Sequence, residues 1–156
     1  MAAVMRAEFL RLVPMTPSAL DDVMRIENAA YPFPWTRGNF ADSLNAGYSA
    51  WVLEFESAVI GYFVLMMSID EAHLLNITID PDWQSQGYGR HLLSEVFRFA
   101  RGYNAQRLFL EVRPSNSSAR HIYETSGMRK VGTRRGYYPD HGGKREDAIV
   151  MSIDFL

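Results

Sequence analysis

A loop with two glycines, Gln84-Ser85-Gln86-Gly87-Tyr88-Gly89-Arg90, constrains the fold of this chain more than any other stretch. An apolar segment at 74–79 precedes it, and residues 90–101 follow with apolar side chains at helical spacing. The sequence therefore predicts a strand, a loop and a helix in immediate succession. Glycines allow the loop to direct its backbone N–H groups toward one point, where the helix start adds partial positive charge. This arrangement favours an anion such as phosphate, and an ordinary strand-to-helix turn is the alternative interpretation.

Length and composition predict a single soluble domain. The chain has 156 residues, of which 47% are hydrophobic and 22% are charged. We therefore expect one domain over residues 1–156, with residues 1–7 as a flexible N-terminus that offers two possible starts, Met1 and Met5. This segment contains one arginine and no long apolar run follows it, so we expect neither a signal peptide nor a membrane span.

Charge and cysteine content exclude several classes of function. The formal net charge is -2, so the chain lacks the basic surface expected of a nucleic-acid-binding protein. The chain contains no cysteine, which excludes disulfides, a cysteine nucleophile and thiolate metal sites. The same composition is compatible with the reducing cytoplasm, where we expect the protein to be located.

Periodicity predicts that helices and strands alternate in the first half of the chain. Thr16 and Pro17 are suited to begin a helix that Pro32 and Pro34 must end, and Thr36 can begin a second short helix. Segments rich in β-branched and aromatic residues predict four strands, and the last three of these are expected to form an antiparallel meander. These strands are predicted at 9–13, 49–55, 59–67 and 72–79.

The second half of the chain predicts a parallel pair of strands and a final hairpin. The helix at 90–101 is the crossover expected between the strand before it and the strand at 107–112. Asn116 can cap the next helix, and Gly127 suits its C-terminal end. The last two strands are predicted at 128–135 and 148–153, joined by a loop that contains Tyr137-Tyr138-Pro139.

Two residues of this second half are candidates for catalysis. Glu111 is the only ionisable residue between Leu108 and Val112, in a strand that we expect to be buried on both faces. It could form a salt bridge, lie at the open end of the strand, or act as a base that desolvation strengthens. Tyr123 lies about two turns after Asn116 on an apolar helix face, where it is either a packing residue or part of a site. Because the two belong to consecutive elements, their side chains could converge on one cleft.

Metal sites and common nucleotide sites are not indicated. The sequence has no G-x-x-x-x-G-K-[ST] motif. Gly87-x-Gly89 lacks the third glycine of a dinucleotide-binding fingerprint, because Leu92 stands in its place. No pair of histidines has a metal-ligand spacing such as H-x-x-x-H. The four histidines are His73, His91, His121 and His141.

The motifs occur in a distinctive order. A three-strand meander precedes Q-x-x-G-x-G and a helix, and L-E-V-R, N-S-S-A, Y-E-x-x-G-M and a terminal hairpin follow. In this order the chain resembles the GNAT superfamily of N-acetyltransferases over residues 9–156. The strings L-N-I-T-I-D-P-D, L-E-V-R-P-S-N, R-R-G-Y-Y-P and E-D-A-I-V-M are closer still to the RimI-type ribosomal-protein alanine N-acetyltransferases of bacteria. Gln84 and Met128 are mild variants of the family pattern.

The resemblance implies an α/β GNAT fold, in which a mixed, mostly antiparallel central sheet splays between its fourth and fifth strands and carries helices on both faces. It implies that acetyl-coenzyme A lies in the split as a cosubstrate, without a metal. By the family pattern, the backbone of Ile77, Thr78 and Ile79 would pair with the pantetheine arm, and Asn116 would bond near the thioester. The pyrophosphate would rest on backbone N–H groups of Ser85, Gln86, Gly87, Tyr88, Gly89 and Arg90.

The resemblance also assigns roles in a reaction. Glu111 matches the general base and Tyr123 the general acid of the family, and a free amine would attack the thioester directly in a ternary complex. The implied acceptor is the N-terminal α-amine of an alanine on a small-subunit ribosomal protein. An N-terminal amine has a pKa near 8, whereas a lysine side chain has a pKa of about 10.4. At pH 7 the neutral fraction of the N-terminal amine is therefore roughly a hundred times that of lysine. We expect no direct binding of nucleic acid or membrane.

Alternatives to this function are also consistent with the sequence. The acceptor could be another protein N-terminus, a lysine, or a small amine such as a polyamine, although residues 31–40 contain no acidic residue that would bind one. A non-catalytic acetyl-coenzyme A module would be expected to lack Glu111 or Tyr123. The aromatic loop Tyr31-Pro32-Phe33-Pro34-Trp35 is either a plug on the core or, with Tyr137-Tyr138, a wall of the peptide entry.

Overall fold

A single sheet of seven strands organises residues 5–155, which the computed structural model describes. Residues 1–4 of the expected flexible N-terminus, and Leu156, lie outside this part of the chain. The strands are β1 (Leu10–Pro14), β2 (Ser49–Phe55), β3 (Ala58–Met67), β4 (Glu71–Ile79), β5 (Arg107–Val112), β6 (Arg129–Pro139) and β7 (Arg145–Asp154). Their order across the sheet is β1-β2-β3-β4-β5-β7-β6.

Two of the helices begin at residues whose side chains cap the first turn. Thr36 Oγ1 accepts a hydrogen bond from the Asn39 backbone N–H at 3.1 Å, and Asn39 Oδ1 accepts one from the Thr36 N–H at 2.9 Å. Asn116 Oδ1 accepts the N–H of Ala119 at 3.3 Å. Both predicted caps are therefore confirmed. The four α-helices of the described residues are α1 (Leu20–Ala30), α2 (Arg37–Asn45), α3 (Tyr88–Gly102) and α4 (Ser117–Thr125).

The predicted start of the first helix at Pro17 is wrong by one turn. Pro17–Ala19 forms a 3-10 turn, and α1 begins only at Leu20. The Thr16 hydroxyl lies 2.8 Å from the Ser18 hydroxyl and caps no backbone N–H. Because the Thr16 hydroxyl is paired with the Ser18 hydroxyl, it does not cap a backbone N–H. Tight 3-10 turns of this kind are common at helix starts.

The sheet is split between β4 and β5, its one parallel pair among the described strands. Pairing covers only residues 71–73 of β4 and 107–109 of β5, and the strands separate beyond His73. All other neighbouring strands are antiparallel. The fold expected from the sequence, a mostly antiparallel sheet that splays between its fourth and fifth strands, is thereby confirmed.

Both faces of the sheet are covered by helices. Adjacent residues of a strand point to opposite faces, and Tyr62 and Phe63 in the middle of β3 are both fully buried. Tyr62 belongs to the cluster that includes Val23 of α1, and Phe63 belongs to the cluster that includes Leu92 of α3. Full burial of such a side chain contributes about 1.5–3 kcal/mol, so each face holds its helices against the sheet.

The predicted loop at Tyr137-Tyr138-Pro139 is wrong, because these residues form the end of β6. Tyr138 pairs with Glu146 of β7, and Pro139 pairs with Arg145. The register of the two strands shifts between Arg134 and Tyr138, and Gly136 adopts a φ of 56° within this irregularity. A bulge of this kind bends the strand and lets its pairing resume.

The expectation that β5 is buried on both faces is also wrong. Leu108, Leu110 and Val112 are buried, whereas Phe109 and Glu111 are only partly buried as whole residues. The strand alternates because one face packs on the core beneath α3 and α4, while the other face meets side chains of β4 and β6. Glu111 therefore lies among polar neighbours and not within an apolar layer.

Candidate active site

The glycine loop forms a concave backbone cradle at the start of α3. Ser85 and Gly87 adopt left-handed φ values of 61° and 96°. Within residues 5–155, the backbone N–H groups of residues 85–90 donate to no protein acceptor, and the first bonded N–H is that of His91, which donates to the Gly87 carbonyl oxygen. Free N–H groups at the start of a 15-residue helix attract an anion. The predicted anion-binding geometry is thus present.

The loop is attached to the splayed strand by a side chain. Gln84 Nε2 donates to the carbonyl oxygen of Ile79, the last residue of β4, at 2.9 Å. The Tyr88 side chain is buried and packs edge-on against Phe55 and Trp83. The Arg90 side chain reaches the Ser126 hydroxyl at 3.4 Å. The cradle is consequently held by β4, by the core and by the end of α4.

The free edge of β4 presents alternate residues to the split. The Asp80 N–H donates to Ile60 of β3 at 2.7 Å, so Asp80 and, two residues earlier, Thr78 direct their backbone groups toward β3. By the same alternation Ile77 and Ile79 direct theirs toward the split. Since Gln84 occupies the Ile79 carbonyl, the N–H groups of Ile77 and Ile79 are the ones left for a bound strand-like ligand.

Tyr31, at the end of α1, lies against this edge. Its hydroxyl is 2.7 Å from Thr78 Oγ1 and 3.2 Å from the Ile77 carbonyl oxygen. Burial raises the pKa of Tyr31 to about 12, so the hydroxyl stays protonated at neutral pH and can donate. No local pattern in the sequence marks Tyr31 as a polar group of the site, because only the fold brings α1 next to β4.

A cavity of about 840 Å³ adjoins the split. Four of the predicted site residues line it, namely Ile77, Glu111, Asn116 and Tyr123. Thr78, Ile79 and the loop at 85–90 are not among the lining residues. The structure therefore brings the two predicted catalytic groups into one cavity and places the predicted phosphate cradle outside it, at the other end of the free β4 edge.

Glu111 is held by two neighbours that the sequence analysis missed. Its side chain is 5% exposed, and its Oε2 lies 2.6 Å from His73 Nε2. Arg134 Nε of β6 lies 3.1 Å from Oε1. Of the interpretations left open, the salt bridge is thus present. His73 and Arg134 are far from Glu111 in the sequence, and no local pattern connects them.

Tyr123 faces the cavity from α4. Burial raises the pKa of its hydroxyl above the usual range, so the group remains a proton donor at neutral pH. Asn116 caps the same helix two turns earlier and also lines the cavity. The fold thus places a carboxylate on β5 and a protonated phenol on α4 around one cavity.

The aromatic segment at 31–35 contacts both the core and the cavity. Trp35 packs on buried Phe40 with ring centroids 5.0 Å apart, whereas Phe33 lines the cavity and lies 5.2 Å from the ring of His141. The Arg113 guanidinium stacks over Phe33 and over Tyr138, at 5.6 Å and 4.4 Å from the ring centroids. One wall of the cavity is therefore aromatic, and it consists of Phe33 together with Tyr138 and His141 at and just after the end of β6.

A second buried carboxylate, that of Glu27 in α1, lines the same cavity. Glu27 accepts hydrogen bonds from the Trp35 N–H at 2.9 Å, from the Tyr62 hydroxyl at 2.6 Å and from the Asn76 amide at 3.1 Å. Burial and the Glu27 charge together raise the pKa of Tyr62. The available signal in the sequence was an acidic residue one turn after buried Val23, on the apolar face of the helix.

Two further observations bear on the kind of site. Among residues 5–155, no three histidine, aspartate or glutamate side chains are grouped as metal ligands. In the same part of the chain, no helix combines the length and apolar character needed to span a membrane.

Comparison with known proteins identifies the family. The profile of the acetyltransferase (GNAT) family matches residues 20–128. The chain belongs to this family. The [ribosomal protein bS18]-alanine N-acetyltransferase of Escherichia coli K12 is 38% identical over 128 residues, which cover 82% of this chain and 86% of the relative. The enzyme of the same name from Haemophilus influenzae is 38% identical over 127 residues, 81% of this chain and 86% of the relative.

Solved GNAT structures share the fold. The crystal structure of the ribosomal-protein-S18-alanine N-acetyltransferase from Escherichia coli superposes with a TM-score of 0.86 at 34% identity, covering 93% of each chain. Arabidopsis thaliana Naa50, in complex with the bisubstrate analogue CoA-Ac-MVNAL, superposes with a TM-score of 0.81 at 18% identity, covering 94% of this chain and 99% of Naa50. The second likeness supports the fold alone.

Proposed function

We propose that this GNAT protein transfers an acetyl group from acetyl-coenzyme A to the N-terminal α-amine of alanine on a ribosomal protein of the bS18 type. The observation that carries the proposal is the placement of Glu111 and Tyr123 around one cavity beside a split strand edge and an anion cradle. The choice of acceptor is supported by the enzymes that are up to 38% identical over most of the chain.

The free groups of the protein fit acetyl-coenzyme A. The N–H groups of residues 85–90 are suited to the pyrophosphate, and the N–H groups of Ile77 and Ile79 are suited to the amides of the pantetheine arm. Asn116, which lines the cavity, is suited to the end of the arm that carries the acetyl group. When bound, acetyl-coenzyme A supplies the acetyl group as a thioester.

The two cavity residues would then move protons in opposite directions. Glu111 accepts a proton from the acceptor amine, directly or through water, which frees the lone pair for attack. Tyr123 donates its proton to the sulfur that departs, and its raised pKa keeps that proton available at neutral pH. Direct attack of the amine on the thioester completes the proposal, and the lack of cysteine excludes a cysteine-bound acetyl intermediate.

The acceptor amine favours this arrangement. An N-terminal amine with a pKa near 8 loses its proton more easily than lysine, so one weak base is sufficient. The aromatic wall formed by Phe33, Tyr138 and His141 offers apolar surface to the residues that follow the N-terminal alanine. The remaining elements of the proposal are a single domain over residues 1–156 and a cytoplasmic location.

Acetylation of defined peptides tests the proposal. The full chain is incubated with acetyl-coenzyme A and peptides that begin with the N-terminal sequence of bS18, in parallel with an N-terminally blocked copy, a lysine-only peptide and spermidine. We expect product only on the free N-terminus. Acetylation of spermidine without peptide acetylation would contradict the proposed acceptor, and binding of acetyl-coenzyme A without turnover on any amine would contradict enzymatic function.

A further inference from the structure

The contact between His73 and Glu111 is not explained by the reaction described above. His73 Nε2 lies 2.6 Å from Glu111 Oε2, and its ring stacks on Phe109 with the centroids 4.2 Å apart. The two side chains are only 13% and 5% exposed. His73 itself is not among the residues that line the cavity. A short hydrogen bond between buried groups restricts the rotation of the carboxylate.

The second oxygen of Glu111 is in a different situation. Oε1 is fully buried and accepts no hydrogen bond from any group within residues 5–155. Arg134 Nε is 3.1 Å away, but its N–H does not point at the oxygen, so the contact is an ion pair without an aligned hydrogen bond. One oxygen of Glu111 is therefore held by a hydrogen bond, and the other is buried beside the Arg134 guanidinium without an aligned donor.

Arg134 explains why a restraint on Oε2 is useful. An arginine fork readily takes both oxygens of a carboxylate in a bidentate pair. A carboxylate engaged in this way is a weaker proton acceptor, because the cation stabilises its charged form. His73 of β4 donates to Oε2 from the side of Glu111 opposite to Arg134 of β6. This bond prevents the carboxylate from rotating to place both oxygens on the Arg134 guanidinium.

We propose that His73 is a positioning residue for acetyl transfer, whose Nε2–H holds Oε2 of Glu111 and thereby keeps the carboxylate oriented to accept the amine proton. The inference rests on the proposed role of Glu111 as base. One N–H bond of the ammonium group breaks and one O–H bond forms on the Glu111 carboxylate, directly or through water. His73 keeps its own proton throughout, and the tautomer with the proton on Nε2 is assigned from its contact with the carboxylate.

Kinetics of three single variants test this role. His73→Phe keeps a ring against Phe109 and removes the donor, and His73→Gln restores an N–H donor. We expect His73→Phe to lower kcat about 10- to 100-fold, with the KM for acetyl-coenzyme A changed less than about two-fold, and His73→Gln to recover part of the loss. His121→Phe on the exposed side of α4 is the matched control and should retain activity.

The double variant His73→Phe/Glu111→Gln decides whether His73 acts through Glu111. If it does, the double variant is no slower than Glu111→Gln alone, because the restraint has nothing left to position. Losses that multiply would overturn the inference, as would full activity of His73→Phe beside a slow Glu111→Gln. Full activity of Glu111→Gln would instead contradict the proposed function.

A measurement without cosubstrate gives an independent readout. In the ¹⁵N-labelled wild-type protein, the Nε2-bound proton of His73 should exchange slowly with water because it is buried in a hydrogen bond. In Glu111→Gln its chemical shift should move, while that of His121 stays unchanged. A rapidly exchanging His73 proton that is insensitive to Glu111→Gln would show that the contact is not maintained in solution. Thermal unfolding of each variant separates loss of fold from loss of positioning.

Discussion

The side chain of Gln84 donates a hydrogen bond to the backbone carbonyl of Ile79 at 2.9 Å. Gln84 begins the loop that forms the anion cradle, and Ile79 ends the strand whose free edge borders the split. This single bond therefore fixes the distance between the two backbone surfaces on which acetyl-coenzyme A is proposed to lie.

Replacing Gln84 by leucine should weaken cosubstrate binding more than turnover. The substitution removes a hydrogen bond with a net contribution of about 1 kcal/mol, which corresponds to about a five-fold rise in the KM for acetyl-coenzyme A. We expect kcat to change less than about two-fold. Gln106→Leu, at an exposed position before β5, is the control. An unchanged KM together with an unchanged calorimetric Kd for coenzyme A would show that the bond does not shape the cradle.

The two glycines of the cradle should respond differently to alanine. Gly87 has a φ of 96°, so Gly87→Ala should lower the free energy of unfolding by about 1–2 kcal/mol. Gly89 has an ordinary φ, and an added Cβ would lie 3.5 Å from Ile122, in normal contact. Gly89→Ala should therefore fold normally while it hinders an approaching pyrophosphate. Denaturant unfolding and coenzyme A titration of both variants check this contrast, and tight binding by Gly89→Ala would argue against phosphate at this position.

Replacement of Glu111 by glutamine should be most harmful at neutral pH. At pH 7 the N-terminal amine, with a pKa near 8, is mostly protonated and needs a base, so we expect kcat/KM to fall about 100-fold or more. Near pH 9.5 the amine is already neutral, and the loss should be smaller. Rates on an N-terminal peptide from pH 6 to 10 check this, and the same loss at every pH would exclude Glu111 as the base.

Tyr123→Phe should separate catalysis from folding. The hydroxyl makes no hydrogen bond within residues 5–155, so its removal should leave thermal stability and coenzyme A binding unchanged. Because burial raises the pKa of Tyr123, its hydroxyl stays protonated above pH 9. The activity of the wild-type protein should therefore not fall in this pH range through deprotonation of Tyr123. Turnover of the variant should fall about 100-fold. Normal turnover in a stopped assay would make Tyr123 a packing residue.

Glu146 should contribute a pH-dependent part of stability. Burial alone would raise the pKa of Glu146, but hydrogen bonds from Arg113 and Ser115 outweigh it and hold the pKa below its usual value. Its stabilisation is therefore complete above the unfolded pKa of about 4.3 and is lost as pH falls through the lower folded pKa. Glu146→Gln should melt at a lower temperature than the wild type at pH 7, and the difference should shrink below about pH 4. Glu124→Gln, in an exposed pair with Arg120, is the control.

Local signals in the sequence were sufficient for most elements. The cap at Thr36, the cap at Asn116 and the glycine loop act within one turn of chain, so the sequence predicts them without knowledge of neighbours. The exceptions depend on pairing. Tyr137 and Tyr138 lie in a region rich in turn residues, and only the partner strand β7 makes them part of β6.

For the candidate site, the sequence by itself determined the cradle at 85–90 and the presence of Glu111 and Tyr123 on a strand and the helix that follows. Only the tertiary structure decided how the Glu111 carboxylate is held, because His73 and Arg134 come from two other strands and meet it across the sheet. The same is true of Glu27 and Tyr31, which α1 brings to the cavity. Local propensity acts over a few residues, whereas a buried charge takes its chemical character from neighbours that only the packed sheet supplies.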